Sequence, residues 1–220
     1  VIKEYTLLSE KEALSAVDKA HECFESWKLV SVEDRAKLAM KLADVIEANE
    51  DSLVSLMTTE MGKVKAQGKQ EVEVCAAICR YVAENAEKEL AEEKRDYEPG
   101  YAIVSYQPTG VILGIQPWNF PLYQVMRYSI TNVVAGNTTV MKHASNVFGM
   151  AEKIQELYEE AGFPKNCYQS LMIDGKTASK LISHPKVSGV TFTGSDEVGK
   201  TVVAESSKYA KKTVLELGSN

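Results

Sequence analysis

Metal-binding residues are scarce in this chain of 220 residues, which has only four cysteines and three histidines. Cys23, Cys75, Cys79 and Cys167 form no C-x-x-C pair and have no ligand-spaced histidines beside them, which excludes the common zinc patterns. Cys75 and Cys79 lie four apart on an expected helix, where they read as small core residues, and no metal is expected. Positive charge is short as well. With 25 Lys and Arg against 31 Asp and Glu, the net charge is −6, so no basic field for nucleic acid exists and an anionic ligand must be held by local donors. No apolar run is long enough to cross a membrane, and no charged-then-apolar leader opens the sequence. The expectation is therefore a cytoplasmic protein with no nucleic-acid and no membrane partner. A G-x-G-x-x-G dinucleotide fingerprint is also missing.

What remains is an ordinary globular composition, 45% hydrophobic and 25% charged. A chain of this size buries roughly 70–75% of its unfolded surface. Two styles of sequence meet near residue 94. Before it, residues 11–28, 32–48, 50–61 and 67–90 carry apolar residues at spacings of three and four, which predicts four helices. Ser31-Val32-Glu33-Asp34 has the hydroxyl and carboxylates of a capped start, and Gly62 ends the third helix. The charged run from Glu87 to Asp96 reads as a solvated helix end. Residues 94–109 hold a Pro99-Gly100 turn signal followed by the β-rich Tyr101 to Tyr106, which predicts a two-stranded hairpin. Its edges offer unpaired backbone groups to a neighbouring chain, or it folds back on its own domain.

From residue 110, apolar strands alternate with helices. The strands are expected at 111–115, 138–142, 168–173, 188–193 and 212–217, and the helices at 122–135, 147–161, 176–183 and 196–209. That alternation predicts an α/β fold with a doubly wound parallel sheet, preceded by a helical segment and a hairpin arm. Ligands on such sheets gather at the carboxyl ends of the strands.

Gly194 to Thr201, GSDEVGKT, matches the P-loop pattern G-x-x-x-x-G-K-[ST]. Asp196 and Glu197 argue against a triphosphate, because they would place carboxylates in the anion cradle. The alternative needs only Gly194 and Ser195, whose turn aims a helix N-terminus at one phosphate, leaving the two acids facing water.

Four strand ends share one edge. Gln116-Pro117-Trp118-Asn119-Phe120-Pro121 follows the first strand, and its prolines restrict the backbone around Asn119, whose amide is then held to donate to an oxyanion. A rigid loop with a buried Trp118 is the alternative. Lys142 closes the second strand, where a cation would meet ribose hydroxyls or phosphate; an ordinary exposed lysine is the alternative. Phe192-Thr193-Gly194-Ser195 closes the fourth. Leu215-Glu216-Leu217-Gly218 closes the fifth and carries a carboxylate inward on an apolar strand, either a misplaced charge or, with more weight at this edge, a general base with a raised pKa.

In order and spacing, Pro117-Trp118-Asn119-Phe120-Pro121, Lys142-x-x-Ser145, Gly162-Phe163-Pro164, Phe192-Thr193-Gly194-Ser195 and Leu215-Glu216-Leu217-Gly218 resemble the NAD(P)-dependent aldehyde dehydrogenase superfamily. Thr59-Glu60-Met61-Gly62-Lys63 looks like a phrase from that family too. PWNFPLYQVMRY followed by MKHASN is most similar to the bacterial succinate-semialdehyde dehydrogenase branch. The resemblance implies NAD or NADP as cofactor, a small-molecule aldehyde as substrate and a homo-oligomer, dimer or tetramer, at full length. It implies Asn119 as oxyanion donor and Glu216 as general base. Ile115, Trp118, Lys142, Ser145, Gly194, Ser195, Val198 and Leu217 fall to the cofactor, and Phe120 and Arg127 to the substrate. An arginine suits a substrate's far carboxylate because its fork binds both oxygens.

Departures from the family pattern matter as well. NAD-selective members often carry Glu at the position of Ser145, so NADP is also accommodated. Ser219 stands where the family has glycine. None of the four cysteines stands where the family's nucleophile does. The expectation is an N-terminal portion: a helical part of the cofactor domain over 1–93, an oligomerisation hairpin over 94–109 and a Rossmann-like part over 110–220 that stops before the catalytic domain. Alone, it is expected to be inactive and to retain weak dinucleotide binding. A P-loop nucleotide-binding protein using Gly194 to Thr201 and a non-catalytic oligomerisation fragment are the remaining alternatives.

Overall fold

Local chemistry sets the ends of the first four helices, α1 (Glu10–Trp27), α2 (Val32–Ala48), α3 (Glu50–Met61) and α4 (Lys65–Glu89), in the computed structural model, which describes residues 3–218. Ser219 lies outside the described residues. At α1, Ser9 Oγ accepts from the Glu12 N–H while the Glu12 carboxylate accepts from the Ser9 N–H at 2.8 Å, a reciprocal cap. Ser31 accepts from the Asp34 N–H at 3.1 Å and starts α2 as its sequence predicts. Gly62 ends α3 at φ +74°, in the left-handed region that side chains rarely adopt.

The hairpin pairs β1 (Glu93–Tyr97) antiparallel with β2 (Gly100–Val104). The charged run from Glu87 is therefore not simply a helix end: α4 stops at Glu89, and Glu93 to Asp96 enter β1. Both strands are exposed almost throughout, Tyr101 and Ile103 included.

The rest of the chain alternates β3 (Val111–Ile115), α5 (Tyr123–Val134), β4 (Thr138–Lys142), α6 (Phe148–Glu160), β5 (Tyr168–Ser170), α7 (Gly175–Ile182), β6 (Val187–Gly194), α8 (Asp196–Ser207) and β7 (Lys212–Leu217). The five strands are parallel in the order β5-β4-β3-β6-β7. The chain winds outward from β3 through β4 to β5, then crosses back to β6 and β7. The strand order therefore reverses between β3 and β6, which opens a crevice at their carboxyl ends.

Two expectations are corrected. The third parallel strand spans three residues and not 168–173, because Ile173 N–H turns back to the Leu171 carbonyl at 3.0 Å and takes the chain off the ladder. The helix expected at 147–161 is preceded by a 3-10 turn over Ser145–Val147 and runs regularly from Phe148.

A hydrophobic cluster covers each face. On one, α2, α3 and α4 bury Leu42, Ile46 and Met57 against Met126 of α5 and Tyr158 of α6. Each such side chain contributes about 1.5–3 kcal/mol. Trp27 ties into this cluster by donating its indole N–H to the Val133 carbonyl at 2.8 Å. On the other face, Val17 and Ala20 of α1 pack with Leu113, Val140, Leu181 and Val190. Cys75 and Cys79 are core residues of the first cluster, and burial pushes the Cys79 thiol up to about 12.

Candidate active site at the carboxyl edge of the sheet

Beyond the tips of β3, β4 and β6 lies a cleft of about 310 Å³ whose walls include Ile115, Lys142, Gly194, Ser195 and Val198, with Ile182 of α7 behind them. Five of the residues that the resemblance assigns to the cofactor therefore line one cleft. Lys142 ends β4 half-buried. Burial lowers its pKa, a shift that Asp174 partly opposes. Among the described residues it has no ion-pair partner, so an ammonium waits in the cleft for an acceptor. Thr193 Oγ1, also in the wall, is buried with no hydrogen-bond partner among the described residues. Ser195 caps α8, accepting from the Val198 N–H at 3.4 Å, with Asp196 and Glu197 exposed in the first turn. A Cβ on Gly194 would stand 2.5 Å from Phe192 Cζ, so the turn into α8 has no room for a side chain. A half-buried cation, an unpartnered hydroxyl and a helix N-terminus fit a phosphorylated, hydroxyl-bearing ligand such as a dinucleotide.

The P-loop reading fails on geometry. Gly194 is the last residue of β6 and Asp196 the first of α8, so the four residues that should wrap a phosphate are Ser195 and three helical ones. Lys200 is exposed and paired with Asp196 at 2.6 Å along the helix.

Trp118, Asn119 and Phe120 sit on the exposed turn between β3 and α5. Trp118 is 48% exposed, which overturns the buried-tryptophan alternative. The turn is anchored from below. His143, 1% exposed, has its Nε2 at 3.3 Å from the Pro121 carbonyl, and burial drops its pKa to about 4, so it stays neutral and donates.

On the α5 side of the sheet, Arg127 Nη1 meets Glu216 Oε1 at 3.0 Å. The expected substrate cation and the expected base are therefore partners in this structure. Glu216 is not the buried acid of the sequence reading: its side chain is 50% exposed, because β7 is the edge strand among the described residues and has no neighbour beyond it. Leu217 is also exposed, and it packs close to Gly199 of α8. Ser145 lines a separate, larger hollow of about 620 Å³ with Glu60 and Gly149 rather than the cleft beyond β3, β4 and β6.

Sequence reasoning missed three anchors: Lys63, Glu71 and His143. Glu71 had a signal. It shares the helical stripe of Gly68, Val72, Cys75 and Cys79, so a carboxylate stood on an apolar face. Lys63 stood in the family-like phrase Thr59–Lys63 and His143 in the run MKHASN, but neither was given a role.

The profile described as the aldehyde dehydrogenase family matches residues 1–220. A probable succinate-semialdehyde dehydrogenase [NADP(+)] of Synechocystis is 39% identical over 219 residues, covering 100% of this chain and 48% of that protein. Succinate-semialdehyde dehydrogenase [NADP(+)] 1 of Mycobacterium tuberculosis is 39% identical over 222 residues, covering 100% and 49%. The solved succinic semialdehyde dehydrogenase of Streptococcus pyogenes, in complex with NADP+, superposes with a TM-score of 0.96 at 33% identity, covering 99% of this chain and 48% of that one. The chain thus spans about half the length of the curated relatives it matches.

Proposed function

The chain belongs to the aldehyde dehydrogenase family, and on that premise we propose that it supplies the cofactor-binding and oxyanion-stabilising part of an oxidoreductase. Its substrate is a short aldehyde with a distal carboxylate, of the succinate-semialdehyde kind, and its product the carboxylic acid. The observation that carries this reading is the convergence at one sheet edge of Lys142, Gly194, Ser195 and Val198 around a single cleft, with Arg127 and Glu216 on the α5 side.

NAD or NADP held in this cleft would supply the hydride acceptor for oxidation of the aldehyde. Lys142 donates to ribose hydroxyls, and Ser195 with the α8 N-terminus holds a phosphate. Ile115 and Val198 give apolar walls, Trp118 the rim, and Leu217 packs the α8 side. NADP is favoured because Ser145 presents no carboxylate to a 2′-phosphate, and the Synechocystis and Mycobacterium relatives are named for NADP(+). The Asn119 amide donates to the oxyanion, and Glu216 takes a proton from water. Phe120 shields the acyl carbon, and Arg127 grips the far carboxylate in its fork. Because Arg127 is engaged with Glu216, a substrate carboxylate must displace that partner first.

A thiolate is needed to attack the aldehyde. Cys75, Cys79 and Cys167 are buried in the core and Cys23 is half-buried on α1, which supports the reading that none of the four is the nucleophile and that these 220 residues alone are inactive. The exposed β1–β2 hairpin is the contact through which copies assemble into a dimer or tetramer.

Titration with NADP and NAD, followed by the fluorescence of Trp118 against a Trp118→Phe control, tests the reading. Binding that weakens about tenfold in Lys142→Ala, the loss of one charge-assisted contact, supports it. No binding of either dinucleotide would overturn it.

A further inference from the structure

The phrase Thr59-Glu60-Met61-Gly62-Lys63 has no task in the chemistry above, yet two of its side chains reach the loops that carry Asn119 and Ser145. Lys63 follows the left-handed turn at Gly62. Its backbone is pinned there by its own N–H to the Met57 carbonyl at 3.3 Å and by Thr58 Oγ1 donating to its carbonyl at 2.9 Å. Its ammonium forms an ion pair with Glu71 Oε2, and the two side chains are 5% and 0% exposed. The same ammonium lies 3.9 Å from the centroid of the Phe120 ring, within cation–π range.

Glu71 completes the arrangement with its other oxygen. Helix α5 begins without a capping side chain of its own, since its cap position is Leu122. Glu71 Oε1 accepts instead from the N–H groups of Leu122 at 2.9 Å and Tyr123 at 3.0 Å. A carboxylate 51 residues away in sequence thus satisfies two free donors and faces the positive end of the helix. Glu60 repeats the device at α6, which also lacks its own cap, accepting from Gly149 N–H at 2.6 Å and Met150 N–H at 2.9 Å. The crossover helices α5 and α6 are therefore both capped from the outer helical layer.

We propose that Lys63 and Glu71 are positioning residues, whose buried pair holds the Trp118–Phe120 turn and with it the direction of the Asn119 amide. A buried ion pair is a weak source of stability, because desolvating two charges offsets their attraction, whereas removing one partner leaves an unpaired charge. That asymmetry suits a part whose task is to define one loop geometry. The consequence for catalysis rests on the oxyanion role of Asn119. The positioning itself does not.

The test is proton–nitrogen NMR on the chain, reading the Asn119 side-chain amide, the Trp118 indole N–H and hydrogen exchange at Leu122 and Tyr123. In Glu71→Gln and in Lys63→Met, the two side-chain signals shift or broaden. Exchange at the two amides quickens about tenfold, as for a weakened charge-assisted bond, while the β4 amides keep their positions. The double variant Lys63→Met/Glu71→Gln, which removes both charges and keeps an acceptor for α5, returns the signals toward their original places. Single variants that leave the Asn119 and Trp118 signals unmoved overturn the proposal, as does a double variant no better than either single. Should the single variants fail to fold, Phe120→Leu removes only the ring under the ammonium: a displaced Asn119 signal supports the proposal, and an unchanged one sinks it. Dinucleotide titration is independent of these signals, so failure here and failure of the oxidoreductase reading are distinguishable.

Discussion

Burial holds the His143 imidazole neutral down to about pH 4, against 6.5 for a free histidine. Between those values the unfolded chain binds a proton that the folded chain refuses. Stability is therefore intact above about pH 6.5 and falls as the pH drops toward 4, by about 3 kcal/mol in all. Urea midpoints recorded from pH 7 to pH 4 should show this loss, and His143→Gln should remove most of it. An unchanged slope in the variant would exclude His143 as the source. The Arg127–Glu216 pair makes the opposite prediction. Its side chains are 33% and 50% exposed, so Arg127→Ala should shift folding stability by less than about 1 kcal/mol. A larger shift in a denaturation curve would mean that the arginine is structural. The position of Arg127, eight residues after Asn119, was legible in the sequence. Its engagement with Glu216 was not, since the two meet only when α5 packs over β3 and β7 joins the sheet beside β6.

For whole elements, α8 gives the sharpest contrast. Ser195 is its cap, so Ser195→Ala should cost about 1 kcal/mol by thermal or urea unfolding and weaken dinucleotide binding as well. Lys200, in the same P-loop match, is exposed on the helix, and Lys200→Ala should stay within about 0.5 kcal/mol with dinucleotide affinity unchanged. A marked loss of nucleotide affinity in Lys200→Ala would revive the phosphate-loop reading. Helix and strand positions were readable from periodicity because apolar spacing follows the geometry of each element. The end of β5 was not: Leu171 and Ile173 are buried in the second cluster like strand residues, but the ladder ends with the Leu171 N–H on the Met141 carbonyl.

For the molecule as a whole, the uncovered feature is the hairpin. Tyr101 is 59% and Ile103 53% exposed, so serine at both positions should leave the unfolding midpoint nearly unchanged while lowering the mass measured by light scattering. A mass identical to that of the parent chain would remove the hairpin as the assembly contact. The layering of the helices belongs to this scale too. All four early helices show similar periodicity, yet α1 packs on one face of the sheet and α2 to α4 on the other. Apolar spacing tells a helix which of its sides to bury, not which partner buries it.

By itself the sequence determined the alternation of strands and helices, the caps at Ser31 and Gly62, and the set of residues at the carboxyl edge, because these depend on local periodicity, turn chemistry and motif order. Only the tertiary structure decided that Glu216 is half-exposed and paired, that Trp118 faces solvent, and that Lys63 and Glu71 support the Asn119 turn. Those outcomes depend on charges and helix ends brought together from distant parts of the chain, where burial and the lack of competing water set the strength of each contact.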